Sequence, residues 1–450
     1  MKRINIYIIL AAILCVGQNY AQNSMTLEQS KQLALQNNVK NKNSRLQIEA
    51  SRQTRKSAFT NYFPSISAGG MIFGAQKPMM EMESKGGNLP VYDGNPANLG
   101  TATQFAYFPS TTTALMKKGK VGFVNVIQPI FAGGRIINGN KLASLGEEVS
   151  EYQSKLAKDE TLLKTEQQYW QIVSLEEKTK TIAKYEELLN SLLNKVSDAF
   201  NSGVAMKNDV LKVKLKLSEV LLNKSKLDNG RKLALMAFCQ HIGVPYDSTL
   251  KMKDELAVKD TPQSYFVDNS ESLPKRTEYS LLAKSIEAEK LQTSMKLGEF
   301  LPQAGIGVSG MYMKFDEGKS RTLGMIFGTV SVPISGWWGG SHDLQERSLK
   351  EQIAENNFKD NSELLLLQME KGWQDLSDAY KQYLLCIESK AQAEENLKVN
   401  EDGYKNGLIT ISDLLEAQAL LQQTKDNLID AEASYKTKAG SYLSLTGRGS

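Results

Sequence analysis

The sequence predicts a mostly helical protein that also carries membrane-type strands, built from a helix-strand-strand-helix-helix unit used twice. Three observations carry this. Residues 199–217, AFNSGVAMKNDVLKVKLKL, and residues 403–421, GYKNGLITISDLLEAQALL, share one pattern at an offset of 204. Two segments of about ten residues alternate with the period of a strand. Two others keep a helical period for roughly 66 residues, far longer than a globular helix.

The repeat extends beyond the matched windows. Pro129 answers Pro333, the Gly133-Gly134 pair lies near Gly336 and Gly339-Gly340, and Gly243 answers Gly447. Phe63-Pro64 answers Leu301-Pro302 at an offset of 238, so the first copy holds 34 extra residues between its two proline landmarks. A chain of two long copies is expected to build one structural unit twice. The expected boundaries are 22–260 for the first repeat and 261–450 for the second.

Residues 1–21 read as a secretory signal peptide. Lys2 and Arg3 precede Ile4 to Val16, which is apolar except for Asn5, and Ala21-Gln22 is a plausible cleavage point. The alternative is an uncleaved anchor helix, for which the run is short. After it, Thr26 with Gln29 is a capping-box signature, opening a helix through about Thr60. Phe63-Pro64 ends it, since the residue before proline is pushed out of the helical region.

Ile66, Ala68, Gly70 and Ile72 share one strand face, within a strand at about 65–74. In the second copy Ala304, Ile306, Val308, Gly310 and Tyr312 alternate with Gly305, Gly307, Ser309 and Met311, giving a strand at about 303–313. Return strands are expected at about 120–129 and 322–333, each ending near a proline. Between the strands lie a long Gly/Pro/Asn-rich loop (75–118) and a short charged one (314–321). Ten residues is the length of a tilted transmembrane strand, and longer loops on one side suit a membrane barrel. A soluble β-subdomain is the other reading.

Past the glycine landmarks the period becomes helical. Leu142, Leu145, Val149, Tyr152, Leu156 and Leu163 share a seam, which resumes in a shifted phase at Ile182, Tyr185, Leu189, Leu192 and Val196. Met369, Trp373, Leu376, Tyr380, Tyr383 and Ile387 repeat it. These are the long helices, at about 135–200 and 339–404. Each ends at a turn where Gly203 or Gly407 supplies a left-handed cap. On the returning helix Val210, Val213, Leu217 and Val220 form one stripe and Leu211, Leu215 and Leu222 another. A helix apolar on two sides has neighbours on two sides.

Bulk properties exclude several functions. Lys+Arg 54 against Asp+Glu 50 is too balanced to suggest nucleic acid. Cys239 and Cys386 have no metal-ligand spacing and read as buried small hydrophobes. His241 and His342 show no paired spacing or nucleophile motif, and His241 reads as a helix-end residue. The glycine pairs lack the Lys-Ser/Thr ending of a phosphate loop; tight chain bends explain them. No enzyme, metal or cofactor is expected. Four strands cannot close a barrel, and open sheet edges cannot stand in lipid. Two chains give eight strands and three give twelve, so the strands demand an oligomer.

With these landmarks in order, the chain resembles the outer-membrane efflux protein family, the TolC-like proteins, over about 25–447. The resemblance rests on Thr26-Leu27-Glu28-Gln29, the Phe63-Pro64 and Leu301-Pro302 steps, Gln128-Pro129-Ile130-Phe131-Ala132-Gly133-Gly134 and both turn motifs. It implies a homotrimer with a twelve-stranded barrel in outer-membrane lipid, continued by a long periplasmic α-helical barrel. Most of the mass would then lie in the periplasm. It also implies a tunnel tip at the two turns, opened by a periplasmic adaptor and an inner-membrane pump.

By the same resemblance Asp413 and Glu416, one helical turn apart on one face, would ring the constriction. Threefold symmetry would make six negative charges, selecting cations and raising their own pKa values by repulsion. Ordinary acids of a helix's first turn are the alternative. Tyr404 matches a tyrosine of the family's tip lock, but Ile409 stands where that lock has arginine. In the first copy Asp209 answers Asp413, and Lys212 stands where Glu416 does; Lys212 is either a different latch or a solvent-facing side chain. The function implied is an exit channel of a tripartite efflux pump or type I secretion system. A periplasmic coiled-coil adaptor or scaffold without a pore is the competing reading.

Overall fold

The computed structural model describes residues 24–316 and 318–449; the signal-peptide segment lies outside them. In chain order the elements begin with β1 (Ser24–Met25), α1 (Leu27–Asn37), α2 (Val39–Phe59) and β2 (Ser65–Gly74). Four short strands follow: β3 (Met80–Ser84), β4 (Gly87–Pro90), β5 (Phe105–Phe108) and β6 (Thr111–Leu115). Then come β7 (Lys118–Ala132), α3 (Arg135–Asn201), α4 (Lys207–Ile242) and β8 (Lys251–Met252). The remainder is α5 (Asn269–Ser272), α6 (Thr277–Glu299), β9 (Gln303–Phe315), β10 (Arg321–Ser331), α7 (Trp337–Lys405) and α8 (Ile411–Leu445). Helices α3 and α7 have 67 and 69 residues. No described helix is long and apolar enough to cross a membrane.

The chain forms two compact units, each drawing on both halves of the sequence. One comprises the described residues up to Arg52, Leu145–Glu287 and the described residues from Ile353 on. Its helices bury three apolar clusters. Ala34, Tyr169, Ile172, Leu235, Phe238 and Ile242 anchor the first. The second joins Ile182, Tyr185, Leu189, Leu192 and Val196 of α3 to Val213 and Val220 of α4 and to Ile411, Leu414 and Leu415 of α8. Leu376, Ala379, Tyr435, Ala439 and Tyr442 form the third. The 182–196 part of the α3 spacing thus becomes a seam; in the 142–163 part Leu145 alone of the expected set is buried, the covered face carrying Ser150, Ser154, Ala157 and Thr161 instead, and Ile387 of α7 stays exposed. On α4, Val213 and Val220 are buried, whereas Leu211, Leu215 and Leu222 stay exposed.

The second unit, Gln53–Ser144 and Ala288–Gln352, holds one antiparallel sheet in the order β10-β9-β7-β2. Its outer strands, β2 and β10, each have one unpaired edge among the described residues.

Several expectations are corrected. The first helix does not run unbroken to Thr60: Asn38 leaves the helical region with ψ 132. Its side-chain amide donates to the carbonyl of His241 at 2.8 Å, while its side-chain oxygen accepts from the Lys40 amide. A distant partner therefore compensates the break. The segment 75–118 is not merely a loop, because β3 pairs with β6 and β4 with β5. Pro129 does not end its strand. Lacking an N–H, it shifts the ladder, and the register against β9 slips between Pro129 and Phe131. Gly133 and Gly134 do bend the chain, at φ 63 and 77. Gly339 and Gly340, by contrast, lie inside α7. Cys239 is buried, but Cys386 is only partly so.

Candidate functional site

The two turns joining the long helices to their returning partners have the same backbone. Gly203 and Gly407 adopt φ 76 and 71. At the first turn the amide of Gly203 donates to the Phe200 carbonyl at 2.9 Å and that of Val204 to Ala199 at 2.8 Å. At the second, Gly407 donates to Tyr404 at 3.1 Å and Leu408 to Gly403 at 2.8 Å. This paired pattern satisfies carbonyls that a helix end would leave open.

The helices that follow are capped unequally. Thr410 and Asp413 form a complete box: the Asp413 carboxylate accepts from the Thr410 amide at 2.9 Å and hydroxyl at 2.7 Å, and the Thr410 hydroxyl accepts from the Asp413 amide at 3.4 Å. In the first copy Met206, without a hydroxyl, stands at the threonine position; its amide donates to the Asp209 carboxylate at 3.3 Å and the Asp209 amide donates to the Met206 carbonyl at 3.0 Å.

These bonds from Thr410, with Lys212 nearby, hold the Asp413 carboxyl below the usual carboxylate range. Within one chain that is the reverse of the rise expected from repulsion around a ring. Asp413 and Glu416 are both exposed, on one face of α8. Lys212 donates to the hydroxyl of Ser412 at 2.7 Å and is half-buried, so it neither grips a carboxylate nor faces solvent freely. Tyr404 packs against the second apolar cluster; burial, then the charge of Asp209, pushes its phenol up. The fold thus brings Asp209, Lys212, Tyr404 and Asp413 into one neighbourhood.

Ser412 and Thr410 were not singled out in the sequence. Thr410-x-x-Asp413 is a readable capping signature. Nothing local marks Ser412, whose partner lies 200 residues away.

The sheet is the second candidate site. Ladder register puts Ile66, Ala68, Gly70 and Ile72 of β2 on one face with Gly122, Val124 and Val126 of β7. The same face continues through Ile306, Val308, Gly310 and Tyr312 of β9 to Gly324, Ile326, Gly328 and Val330 of β10. Polar side chains enter it only toward the strand ends, at Lys118, Lys120, Gln128, Lys314 and Thr322. Most of its members are exposed, Ile326 at 84%, while Gly122 and Val126 are partly covered. The opposite face mixes Ser67, Asn125, Ser309, Thr329 and Arg321 with phenylalanine and methionine. There Ser309 donates to Asn125 at 2.5 Å.

No family profile and no curated protein sequence matches the chain. Solved structures do. The Campylobacter jejuni CmeC outer membrane channel is 15% identical with TM-score 0.75, covering 94% of this chain and 86% of that one. The outer membrane protein VceC from Vibrio cholerae is 14% identical with TM-score 0.70, covering 94% and 96%. The open state of the Neisseria gonorrhoeae MtrE outer membrane channel is 15% identical with TM-score 0.71, covering 94% and 89%. Together with a sheet whose one face is apolar through its middle and with paired helix turns, these likenesses show that the chain has the fold of the TolC-like outer-membrane channels.

Proposed function

We propose that the protein is an outer-membrane exit channel, assembled as a homotrimer, for a tripartite efflux pump. The carrying observation is the sheet: four strands, two unpaired edges and one exposed face apolar through its middle. Unpaired edges in hydrocarbon cost several kcal/mol per group, so they must close on other copies. Three copies give twelve strands, an even number within the range of outer-membrane barrels. The apolar face meets lipid, and the face with Asn125, Ser309 and Arg321 lines the passage. The exposed stripe Leu211, Leu215 and Leu222 on α4 supports the same reading, offering each returning helix a second neighbour. An adaptor or scaffold has no use for that apolar sheet face.

In this reading the two turns form the periplasmic tip, where an adaptor and inner-membrane pump act. Asp413 and Glu416 ring the constriction, and Tyr404, Asp209 and Lys212 hold it closed.

Single-channel conductance in a planar bilayer tests this, comparing wild type with Asp413→Ala/Glu416→Ala. A small cation-selective conductance that rises and loses selectivity in the double variant supports the reading. A folded trimer that never inserts overturns it.

A further inference from the structure

The 34 extra residues of the first copy fall in the segment 75–117, which folds as nested hairpins: β3 with β6, then β4 with β5. Its foot is pinned. The Asp316 carboxylate accepts from the backbone amides of Lys118 at 2.8 Å and Lys117 at 3.2 Å. Its outer part is unlike a solvated surface. From Gly86 to Met116 the one charged residue is Asp93, whose carboxylate already accepts from the Asn95 amide at 3.0 Å and the Asn98 side chain at 2.9 Å. Soluble surfaces carry roughly a quarter to a third charged residues. Here Leu89, Val91, Tyr92, Phe105, Tyr107 and Phe108 are exposed instead, Tyr107 at 72%.

We infer that this arm packs against the arms of the other two copies and caps the outer mouth of the pore. The inference rests on the trimeric-channel reading. Three arguments select a second copy as the occupant. The arm grows directly from β2, the strand whose open edge faces the neighbouring copy in a closed barrel. Its reach is sufficient: twelve strands about 4.8 Å apart and tilted by about 40° enclose a radius of roughly 12 Å. The run from Met80 to Pro90 extends for up to about 35 Å at about 3.3 Å per residue. Finally, a threefold axis brings each residue near its own copies, so any charge there is tripled. A nearly uncharged aromatic tip is the composition such a self-contact requires.

The test uses the full-length protein with Cys386→Ala, Cys239 being buried. Tyr107→Cys is introduced, and detergent-purified trimers and whole cells are treated with a short bis-maleimide. Covalent dimers and trimers are expected. Full labelling by an impermeant maleimide without crosslinking, in an intact trimer, overturns the cap. So does a site shielded in cells but freely labelled in detergent, since the occupant is then another envelope component. A second variant replaces residues 79–115 by a Gly-Ser turn. Made in the Asp413→Ala/Glu416→Ala background, where the tip no longer limits the current, it is expected to raise conductance severalfold over that background with the trimer retained; unchanged conductance overturns the cap. Light scattering separates the two failures: absence of a trimer defeats the channel reading itself, whereas an intact trimer without crosslinks defeats only the cap.

Discussion

Lys212 Nζ donates to Ser412 Oγ at 2.7 Å, tying α4 just past the first turn to α8 just past the second. Both residues lie beside the buried seam formed by Val213, Ile411 and Leu414. If the turns form the channel tip, this tie helps to hold it shut. Lys212→Met should raise single-channel conductance and sensitise cells to large antibiotics. Global stability should fall by only about 1 kcal/mol, the net worth of one hydrogen bond. Ser412→Ala should match it; a conductance unchanged in both variants would discount the tie as a latch.

Capping predicts an inequality between the turns. Thr410→Ala should destabilise the start of α8 by about 0.5–2 kcal/mol. Met206→Thr should complete the box at α4 and stabilise it by a similar amount. Hydrogen exchange at the amides of 207–210 and 411–414 distinguishes the two, with the first set exchanging faster in wild type.

The contact between Gly133 and Gly298 leaves no room for a side chain. A Cβ on Gly133 would lie 2.2 Å from the Gly298 carbonyl oxygen, and one on Gly298 2.3 Å from that of Gly133. Gly133 also sits at φ 63. Either alanine variant should lower the yield of assembled protein severely, as read by heat-resistant oligomer on gels. Gly146→Ala, with open space around it, is the matched control and should assemble normally.

Burial, with Lys164 adding to it, pushes the imidazole of His241 below its ordinary value of 6.5. Its neutral form is fixed by the Asn38 amide on Nδ1 and the Thr161 carbonyl and Thr165 hydroxyl on Nε2. Because the unfolded chain binds the proton more readily, this group's contribution is present above about pH 6.5. It is lost as pH falls from there toward the lowered folded value. Asp426 and Glu432, pushed up by burial, act in the opposite direction over the acid range. The clean observable is therefore a difference: between pH 8 and pH 5 wild type should lose more thermal stability than His241→Gln.

The apolar sheet face gives a membrane prediction. Ile326→Arg should cost about 2–4 kcal/mol if the residue lies near the bilayer midplane. Asn125→Arg, on the other face, should assemble and change conductance instead. Equal tolerance of both arginines in membrane-assembled protein would contradict the assignment of faces.

Period and punctuation were legible, and partners were not. Tyr185, Leu189, Leu192 and Val196 announce their seam because one helical face repeats every three to four residues. Gly203 and Gly407 announce turns because few other residues accept a left-handed cap. The break at Asn38 is local only in part: its side chain caps the Lys40 amide, but its other partner, His241, lies 203 residues away. Lys212 and Ser412 meet only through packing of α4 and α8. The hairpins of 75–117 were hidden because their strands have only four or five residues; even the alternating Met80-Glu81-Met82-Glu83 is too short to mark a strand alone. Their pairing rests on nesting, which short apolar patterns do not encode.

The register slip at Pro129 also sets a length. It carries Phe131 onto the apolar face, opposite Ala304, whereas Tyr312 stands on the same face eight residues further along β9. Both rings are exposed. Phe63 and Trp338 add further exposed rings just outside the inner ends of β2 and β10. Eight residues at about 3.4 Å, tilted by about 40°, separate the two aromatic levels by roughly 21 Å. Aromatic side chains favour the headgroup boundary. In the proposed outer-membrane barrel the slip would act as a ruler, matching the chain to a thin bilayer and opposing vertical drift in either direction.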